Sequence, residues 1–395
     1  MTDRQRIYLD YAAATPVCAE AQDAYADAVV RFPGNPSGLH QEGVLAKGAL
    51  TEARRTLARP LQCKEGQLIF TSGGTEGNNL AITGSISALA DAGVPYSDIH
   101  IVVSALEHPS VIEPVLALEK QGVQVSLIEP DDKGEIRPDA LVKLLTPQTR
   151  FVSIGWANSE IGVIQPLGDL SDCIRAYEKA TATKIVFHSD AGQAPLYHRG
   201  IPQGLGVDLL TLDSGKLYGP RGVGALYLRE GTLVRPQLLG GGQEKGLRAG
   251  TENVALACGF AAAYTTIVRD RADESARLQN LREAFIHEAT ALIPGIVVNG
   301  AGRNMLPHVA NISIPNIDAE YVALALDHQG IAISTKISCE ENERESRVVK
   351  LLGGDSWRAT ASLRFSFGKE TDEEAVHRAT RCLAEIVANP AALLQ

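Results

Sequence analysis

Short apolar runs rich in β-branched residues alternate with helix-like stretches between residues 68 and 229 of the chain. The runs predict strands at residues 68–70, 100–105, 123–128, 150–156, 184–189, 208–212 and 224–229. Helical periodicity occupies residues 78–92, 110–121, 139–145 and 167–180. Because strands that alternate with helices form βαβ units, the pattern predicts an α/β fold with a mostly parallel sheet. The last run directly follows a glycine turn, which is typical of an antiparallel insertion.

The pattern changes after residue 257. A long helical stretch at residues 257–292 is followed by apolar runs at residues 308–314, 331–335 and 363–368, with helices between and after them. This mixture of short strands and helices predicts a second, smaller α+β domain.

Composition and charge exclude several kinds of protein. Hydrophobic residues make up 45% of the chain and charged residues 21%, as in soluble globular proteins. A formal net charge of -10 argues against nucleic-acid binding, which needs a basic surface. The N-terminus lacks a signal peptide's apolar core, and no apolar run approaches the ~20 residues of a membrane span. The six cysteines are scattered, so we expect a cytoplasmic protein with reduced thiols and no metal site.

The segment TSGGTEGNN (residues 71–79) places glycines where a predicted strand turns into a predicted helix. Backbone N–H groups there, with the hydroxyl of Thr75, are suited to hold a phosphate at a helix N-terminus. The alternative is a tight turn capped by Thr75. The spacing matches neither a Walker loop nor a dinucleotide fingerprint, so the segment predicts a phosphate site without a nucleotide.

Two charged residues follow later strands. Asp190 comes directly after the apolar run KIVF, where open α/β sheets bind ligands, and an acid there keeps a buried heterocyclic nitrogen protonated. Lys216 lies in a glycine-rich turn after another strand, where a lysine can form a Schiff base with a cofactor aldehyde. The alternatives are an aspartate that caps the next helix and a solvated loop lysine. The order of phosphate turn, aspartate and lysine favours a cofactor site.

With these segments in view, the chain resembles the pyridoxal-phosphate cysteine desulfurases of the NifS and IscS type, in the class V aminotransferase superfamily. The likeness runs almost end to end and includes YLDYAAATP (8–16), GNPSGLH (34–40), TSGGTEGNN, LEHPSV (106–111), NSEIG (158–162), DAGQA (190–194), GKLYGPRGVGALY (215–227), GGGQEKGLRAGTEN (240–253) and LRFSFG (363–368). Several segments in one order are more specific than any single motif.

The resemblance implies pyridoxal 5'-phosphate as cofactor, a fold-type-I architecture with a seven-stranded sheet, and a homodimer. The large cofactor-binding domain would cover residues 16–262. Residues 1–15 with 263–395 would form the small domain, which carries the catalytic-cysteine loop.

The resemblance also implies roles for single residues. Lys216 would carry the cofactor and move the Cα proton, His108 would stack on the pyridine ring and assist acid–base steps, and Cys339 would form the persulfide. Further cofactor contacts are implied for Asp190 at the ring nitrogen, Gln193 at the phenolic oxygen, Gly74, Thr75 and Ser214 at the phosphate, and Thr251 at the neighbouring subunit's phosphate. Substrate contacts are implied for Asn158, Arg364 and Asn35.

Two segments depart from the family pattern. The family usually has a serine, a spacer and a histidine before the lysine, where this chain has Asp213, Ser214 and Gly215. Two outcomes are open. An inward-turned Ser214 hydroxyl, with an Asp213 that points away to a basic side chain, would compensate for the lost imidazole; incomplete compensation would let the cofactor dissociate more readily. In the cysteine loop, a serine- and glycine-rich tract is replaced by Thr335, Lys336 and Ile337, followed by an acidic run.

The implied function is conversion of L-cysteine to L-alanine, with a persulfide on Cys339 that passes to a sulfur-acceptor protein such as an iron-sulfur scaffold or to tRNA thiolation. One alternative is another class V reaction, transamination or β-elimination, in which Cys339 is idle. The other is a non-catalytic scaffold that keeps the fold.

Overall fold

The structure, a computed structural model, describes residues 6–335 and 345–389. Its strands are β1 (Ile7–Tyr8), β2 (Leu68–Thr71), β3 (His100–Ser104), β4 (Gln124–Ile128), β5 (Thr149–Ser153), β6 (Val186–Asp190), β7 (Leu209–Asp213), β8 (Gly224–Leu228), β9 (Val297–Asn299), β10 (Val309–Ser313), β11 (Ile331–Ala332) and β12 (Ser362–Ser366). Its α-helices are α1 (Ala19–Arg31), α2 (Gln41–Leu61), α3 (Gly74–Asp91), α4 (Pro109–Glu119), α5 (Pro138–Leu144), α6 (Leu167–Thr181), α7 (Pro202–Leu205), α8 (Val254–Leu292), α9 (Ala319–His328), α10 (Arg347–Leu351), α11 (Trp357–Thr360) and α12 (Glu373–Ala388).

The predicted strands form one seven-stranded sheet with the order β2-β8-β7-β6-β5-β3-β4. β8 runs antiparallel to both of its neighbours, whereas β7, β6, β5, β3 and β4 pair in parallel. The α/β class, the mostly parallel sheet and the antiparallel position of the last run are therefore confirmed.

Helices bury both faces of this sheet, which explains why its strands are apolar runs. Along β3, Ile101 and Val103 belong to one apolar cluster with α3 and α4, and Val102 belongs to the other. Successive side chains of a strand point to opposite faces, so a strand that is buried on both sides needs apolar residues at consecutive positions.

A second group of short strands lies in the C-terminal part. β12, β10 and β9 form an antiparallel sheet, and β1 pairs in parallel with β11, which ties the N-terminal segment to this group. The predicted boundary between residues 262 and 263 falls inside α8, which runs unbroken from Val254 to Leu292. The division into two domains stays a prediction.

Helix α3 begins at Gly74, four residues before the predicted start at residue 78. Its N-cap is Gly73, whose φ of 156° is a conformation that other residues rarely adopt. The glycines therefore belong to the strand–helix junction itself. Within residues 6–335 and 345–389, no helix combines the length and the apolar character needed to cross a bilayer.

Candidate active site

Loops that follow β2, β3, β5, β6 and β7 line one cavity, at the edge where parallel strands have their carboxyl ends. The cavity brings together most of the residues that the sequence singled out: Gly74, Thr75, His108, Asn158, Asp190, Gln193, Lys216 and Arg364. Ala12 and Ala13 of the N-terminal segment complete its wall.

Asp190 ends β6 and turns its carboxylate into the cavity. Its Oδ2 accepts a hydrogen bond of 2.7 Å from Nδ2 of Asn78, and its Oδ1 accepts one of 2.9 Å from the backbone N–H of Gly192. The Gly192 bond closes the turn after β6, and the short helix that follows, Ala194–Leu196, has no side-chain cap. The geometry fits a carboxylate held in place for a ligand better than a helix cap.

Lys216 ends a single 3₁₀ turn, Ser214–Lys216, directly after β7. Its ammonium donates hydrogen bonds to the backbone carbonyl of Ala13 and, at 3.4 Å, to that of Ala12. The side chain is half-buried and lines the cavity. This environment is unlike that of a solvated loop lysine.

His108 caps the N-terminus of α4 and connects to Asp190 through two side chains. Its Nδ1 lies 2.8 Å from Oγ of Ser110 and accepts the backbone N–H of the same residue at 3.1 Å. Nδ2 of Asn78 donates both to Ser110 Oγ, at 2.9 Å, and to Asp190. Nδ1 is therefore an acceptor, which assigns the ring proton to Nε2.

Burial lowers the pKa of His108, and the positive charge of Lys216 lowers it further, against the opposing effect of Asp190 and Asp213. We therefore expect a neutral imidazole in the cavity at neutral pH. A neutral ring stacks on an aromatic ligand without adding charge.

Gln193 contributes an amide with one free end. Its Nε2 donates to the backbone carbonyl of Ala12 at 2.9 Å, whereas its Oε1 is buried without a hydrogen-bond partner. A buried acceptor that lacks a partner costs free energy, which a donor on a bound molecule recovers.

Arg364 and Asn158 line the same cavity, but their bonds differ. The guanidinium of Arg364 donates from Nη2 to Asp10 Oδ1 at 2.8 Å and from Nη1 to the carbonyl of Ser159 at 3.3 Å, and its buried Nε has no partner. The Asn158 amide donates to the Leu106 carbonyl, and its Oδ1 accepts the N–H groups of residues 160 and 161. Asn158 therefore builds the turn after β5, and its substrate contact stays a prediction.

In the turn before Lys216, neither of the two compensating orientations is present. The Asp213 carboxylate does not point away to a basic side chain: Oδ2 accepts the N–H of Gly74 at 3.1 Å and Oδ1 accepts that of Gly215 at 2.8 Å. Ser214 does not turn inward, because its buried, unbonded Oγ faces Gly219 and the residue does not line the cavity. Asp213 is drawn to α3 because a helix N-terminus attracts a carboxylate.

Besides Ser214, two described residues with predicted roles do not line this cavity. Thr251 is exposed beside a second pocket, with Glu244 and Arg248. Asn35 is exposed, and its Oδ1 accepts the N–H of Ser37 at 2.9 Å. Cys339 lies outside the described residues.

The sequence did not assign a role to three cavity-related side chains. Asn78 joins Asp190 to Ser110, Asp10 pairs with Arg364, and Glu107 lies 4% exposed in the cavity wall. Burial, with the nearby charge of Asp190, raises the pKa of Glu107 to about 8. All three lie in segments that carry the family resemblance, but their partners are distant in sequence, so no local pattern revealed their contacts.

Together the fold and the cavity define an α/β enzyme with a lysine, an aspartate and a histidine around one pocket at the strand ends. The chain belongs to the aminotransferase class-V family, whose model matches residues 7–379. Enzymes of this family work with pyridoxal phosphate.

Several relatives cover nearly the whole chain. A cysteine desulfurase IscS from Dictyoglomus turgidum is 38% identical over 385 residues, which covers 97% of this chain and 95% of that protein. A cysteine desulfurase IscS 1 from Archaeoglobus fulgidus is 34% identical and covers 96% of both chains. Among solved structures, a NifS-like protein superposes with a TM-score of 0.89 at 29% identity, over 97% of this chain and 100% of that one. SspA in complex with cysteine gives 0.79 at 28% identity, over 92% and 99%.

Proposed function

We propose that this protein is a pyridoxal-phosphate cysteine desulfurase, which converts L-cysteine to L-alanine and takes the sulfur as a persulfide on Cys339. The observation that carries the proposal is the convergence of Lys216, Asp190, His108 and Arg364 on one cavity. Relatives that are themselves called cysteine desulfurases match almost the full length of the chain.

The side chains present fit pyridoxal phosphate. Asp190 offers a carboxylate for the ring nitrogen, His108 a neutral ring for stacking, and Gln193 an unbonded buried oxygen for the phenolic hydroxyl. The backbone N–H of Gly74, with Thr75, offers donors for the phosphate at the start of α3. The N–H of Gly74 already donates to one carboxylate, that of Asp213, which supports an anion site at this position.

When bound, pyridoxal phosphate draws electrons away from the Cα atom of an amino acid and so permits loss of the Cα proton and cleavage of the Cβ–Sγ bond. The protein supplies the position and the proton carriers. Lys216, as a neutral amine released from the carbonyls of Ala12 and Ala13, would accept the Cα proton, and the Arg364 fork suits the planar geometry of the substrate carboxylate. Asn78 and Gly192 donate to the Asp190 carboxylate and hold it in position for the ring nitrogen.

The overall reaction balances without an external oxidant. The Cβ–Sγ bond of cysteine breaks, Cβ gains a proton to give alanine, and the released sulfur forms an S–S bond with Cys339. Of the described cysteines, none lines the cavity, and burial raises the pKa of four of them: Cys18, Cys63, Cys173 and Cys258. A partly buried thiol with a raised pKa is a poor nucleophile, which favours Cys339, the cysteine that the family resemblance indicates.

The proposal includes a homodimer, a cytoplasmic location, the two-domain division and a sulfur-acceptor protein such as an iron-sulfur scaffold. Apolar side chains exposed on and near α1 and α2 support the homodimer: Val29, Val30, Leu39, Val44 and Leu45. An exposed apolar surface of this kind is typical of a protein interface. The exposed position of Thr251 is compatible with a contact to the partner's cofactor.

The cofactor part is tested by spectroscopy and by covalent trapping. We expect the purified protein to be yellow and borohydride to fix the cofactor on the peptide that contains Lys216, as read by mass spectrometry. Lys216→Ala should abolish the fixation, whereas Lys120→Ala, at an exposed position after α4, should not. Colourless protein that added pyridoxal phosphate does not reconstitute would contradict the proposal.

The sulfur part is tested by replacing the nucleophile. Cys339→Ser should still change the visible spectrum on addition of L-cysteine but should lose persulfide formation, because the accepting sulfur is gone. Cys173→Ser, on α6, is the matched control and should keep it. Unchanged sulfide release by Cys339→Ser in the presence of a thiol reductant would instead identify a β-eliminating lyase.

A further inference from the structure

The first backbone donor of α3 already holds an anion that belongs to the protein. Asp213 Oδ2 accepts the N–H of Gly74 at 3.1 Å, while Oδ1 accepts that of Gly215 at 2.8 Å. Gly74 is the first residue of an 18-residue helix, so its N–H lies at the positive end of the helix dipole. The donor suited to a phosphate and the carboxylate of Asp213 are therefore in direct contact.

The carboxylate packs tightly against the start of this helix. A Cβ atom added to Gly74 would lie 3.1 Å from Asp213 Oδ2 and 3.3 Å from Asp213 Cβ. A phosphate that takes the Gly74 N–H must therefore displace Oδ2 or lie beside it. Two anions at that distance repel each other strongly in a half-buried site.

The turn before Lys216 offers few other donors to a bound phosphate. Gly215 has no side chain that could donate to a phosphate, and a Cβ atom there would meet the aliphatic Cγ of Arg221 at 3.2 Å. The Ser214 hydroxyl faces Gly219 and not the cavity. Glu76, the acid in the first turn of α3, is held by Arg248 and by the N–H of Ser72.

We propose that Asp213 sets the affinity of the site for the cofactor by competing with its phosphate for the Gly74 N–H. The inference rests on the proposed function and deepens it. Asp213 acts on the phosphate and not on the ring, because its contacts lie at the start of α3 and in the turn after β7, whereas Asp190 and Gln193 face the ring position.

The experiment compares two ligands that differ only in the phosphate. Apo protein in phosphate-free buffer is titrated calorimetrically with pyridoxal phosphate and with pyridoxal. Asp213→Asn removes the charge with little change of shape and should bind pyridoxal phosphate about tenfold more tightly or better, with pyridoxal affinity nearly unchanged. Asp213→Ser is the second variant and should behave alike.

Two controls separate the competing charge from other effects. Asp213→Glu keeps a carboxylate and should not raise the affinity for pyridoxal phosphate. Asp169→Asn removes an exposed charge from α6 and should not raise that affinity either. The inference would be overturned, and the proposed function left intact, if native protein binds pyridoxal phosphate and neither Asp213→Asn nor Asp213→Ser binds it more tightly. An equal gain in affinity for pyridoxal would also overturn the inference. Failure of native protein and variants alike to bind the cofactor would overturn the proposed function.

Discussion

The guanidinium of Arg364 pairs with the carboxylate of Asp10, with Nη2 2.8 Å from Oδ1, across 354 positions of sequence. The Arg364 side chain is 2% exposed and that of Asp10 is 19% exposed. The pair therefore fastens the N-terminal segment to β12 and orients the guanidinium that faces the cavity. A buried ion pair of this kind is costly to break, because the remaining charge loses its partner.

We expect Asp10→Ala to lower the free energy of unfolding by about 3 kcal/mol, since it leaves the buried Arg364 charge without its partner. The matched control is Asp327→Ala, which removes a carboxylate that pairs with Arg6 between exposed side chains. That exposed pair should contribute about 1 kcal/mol at most. Urea unfolding of both variants measures the difference, and equal losses would show that burial does not strengthen the Asp10 pair.

A second prediction concerns recognition of the substrate carboxylate by Arg364. Arg364→Lys keeps the charge but loses the planar fork, so the KM for L-cysteine should rise about tenfold or more. Cysteamine lacks the carboxylate, and the spectral change that it causes in the holoenzyme should have the same concentration dependence in both proteins. If the binding of L-cysteine and of cysteamine weakens equally, Arg364 acts on the cavity as a whole and not on the carboxylate.

The residues that sequence reasoning placed correctly are those fixed by their position in one strand–turn unit. Asp190 and Lys216 each follow an apolar strand, and the carboxyl ends of parallel strands meet at one edge of the sheet, so their convergence follows from the strand pattern. The glycines at residues 73–74 were placed in the same way at the start of a helix.

Contacts between distant segments could not be predicted in this way. Asn78 reaches Asp190 across 112 positions, and the direction of the Asp213 side chain depends on where α3 packs. Helices α1 and α2 were also missed. The buried residues of α2 are one glycine, three alanines and three leucines (Gly43, Ala46, Leu50, Ala53, Leu57, Ala58 and Leu61), and the small ones contrast weakly with the polar side of the helix.

A third prediction uses the buried acid in the cavity wall. Burial raises the pKa of Glu107 to about 8, and its Oε1 accepts the N–H of Gly155 at 2.6 Å. The folded protein keeps this proton up to about pH 8, whereas an unfolded chain loses it near the ordinary value of 4.5. Glu107 therefore stabilises the fold below that ordinary value, and this contribution is lost as the pH rises towards 8.

Glu107→Gln cannot lose a proton, so its stability relative to the native protein should rise between pH 4.5 and about 8. The slope should be about 1 kcal/mol per pH unit. Urea unfolding at several pH values measures it. Glu113→Gln, at an exposed position of α4, is the control and should give curves parallel to those of the native protein. Parallel curves for Glu107→Gln as well would mean that the buried carboxyl is already ionised at low pH.

The last prediction concerns the buried pair that anchors the glycine-rich segment before α8. Glu244 accepts two hydrogen bonds from Arg54, of 2.7 and 2.6 Å, and a third of 2.9 Å from the N–H of Phe70. The φ of Glu244, 46°, is one that residues other than glycine rarely adopt, so these bonds must offset strain.

Glu244→Ala should lower the free energy of unfolding by about 3–5 kcal/mol, because it leaves the Arg54 charge unpaired. Glu52→Ala removes an exposed partner of Arg55 on the same helix and should cost about 0.5 kcal/mol or less. Urea unfolding measures both losses of stability. If Glu244→Ala costs no more than Glu52→Ala, the glycine-rich segment before α8 is held by other contacts.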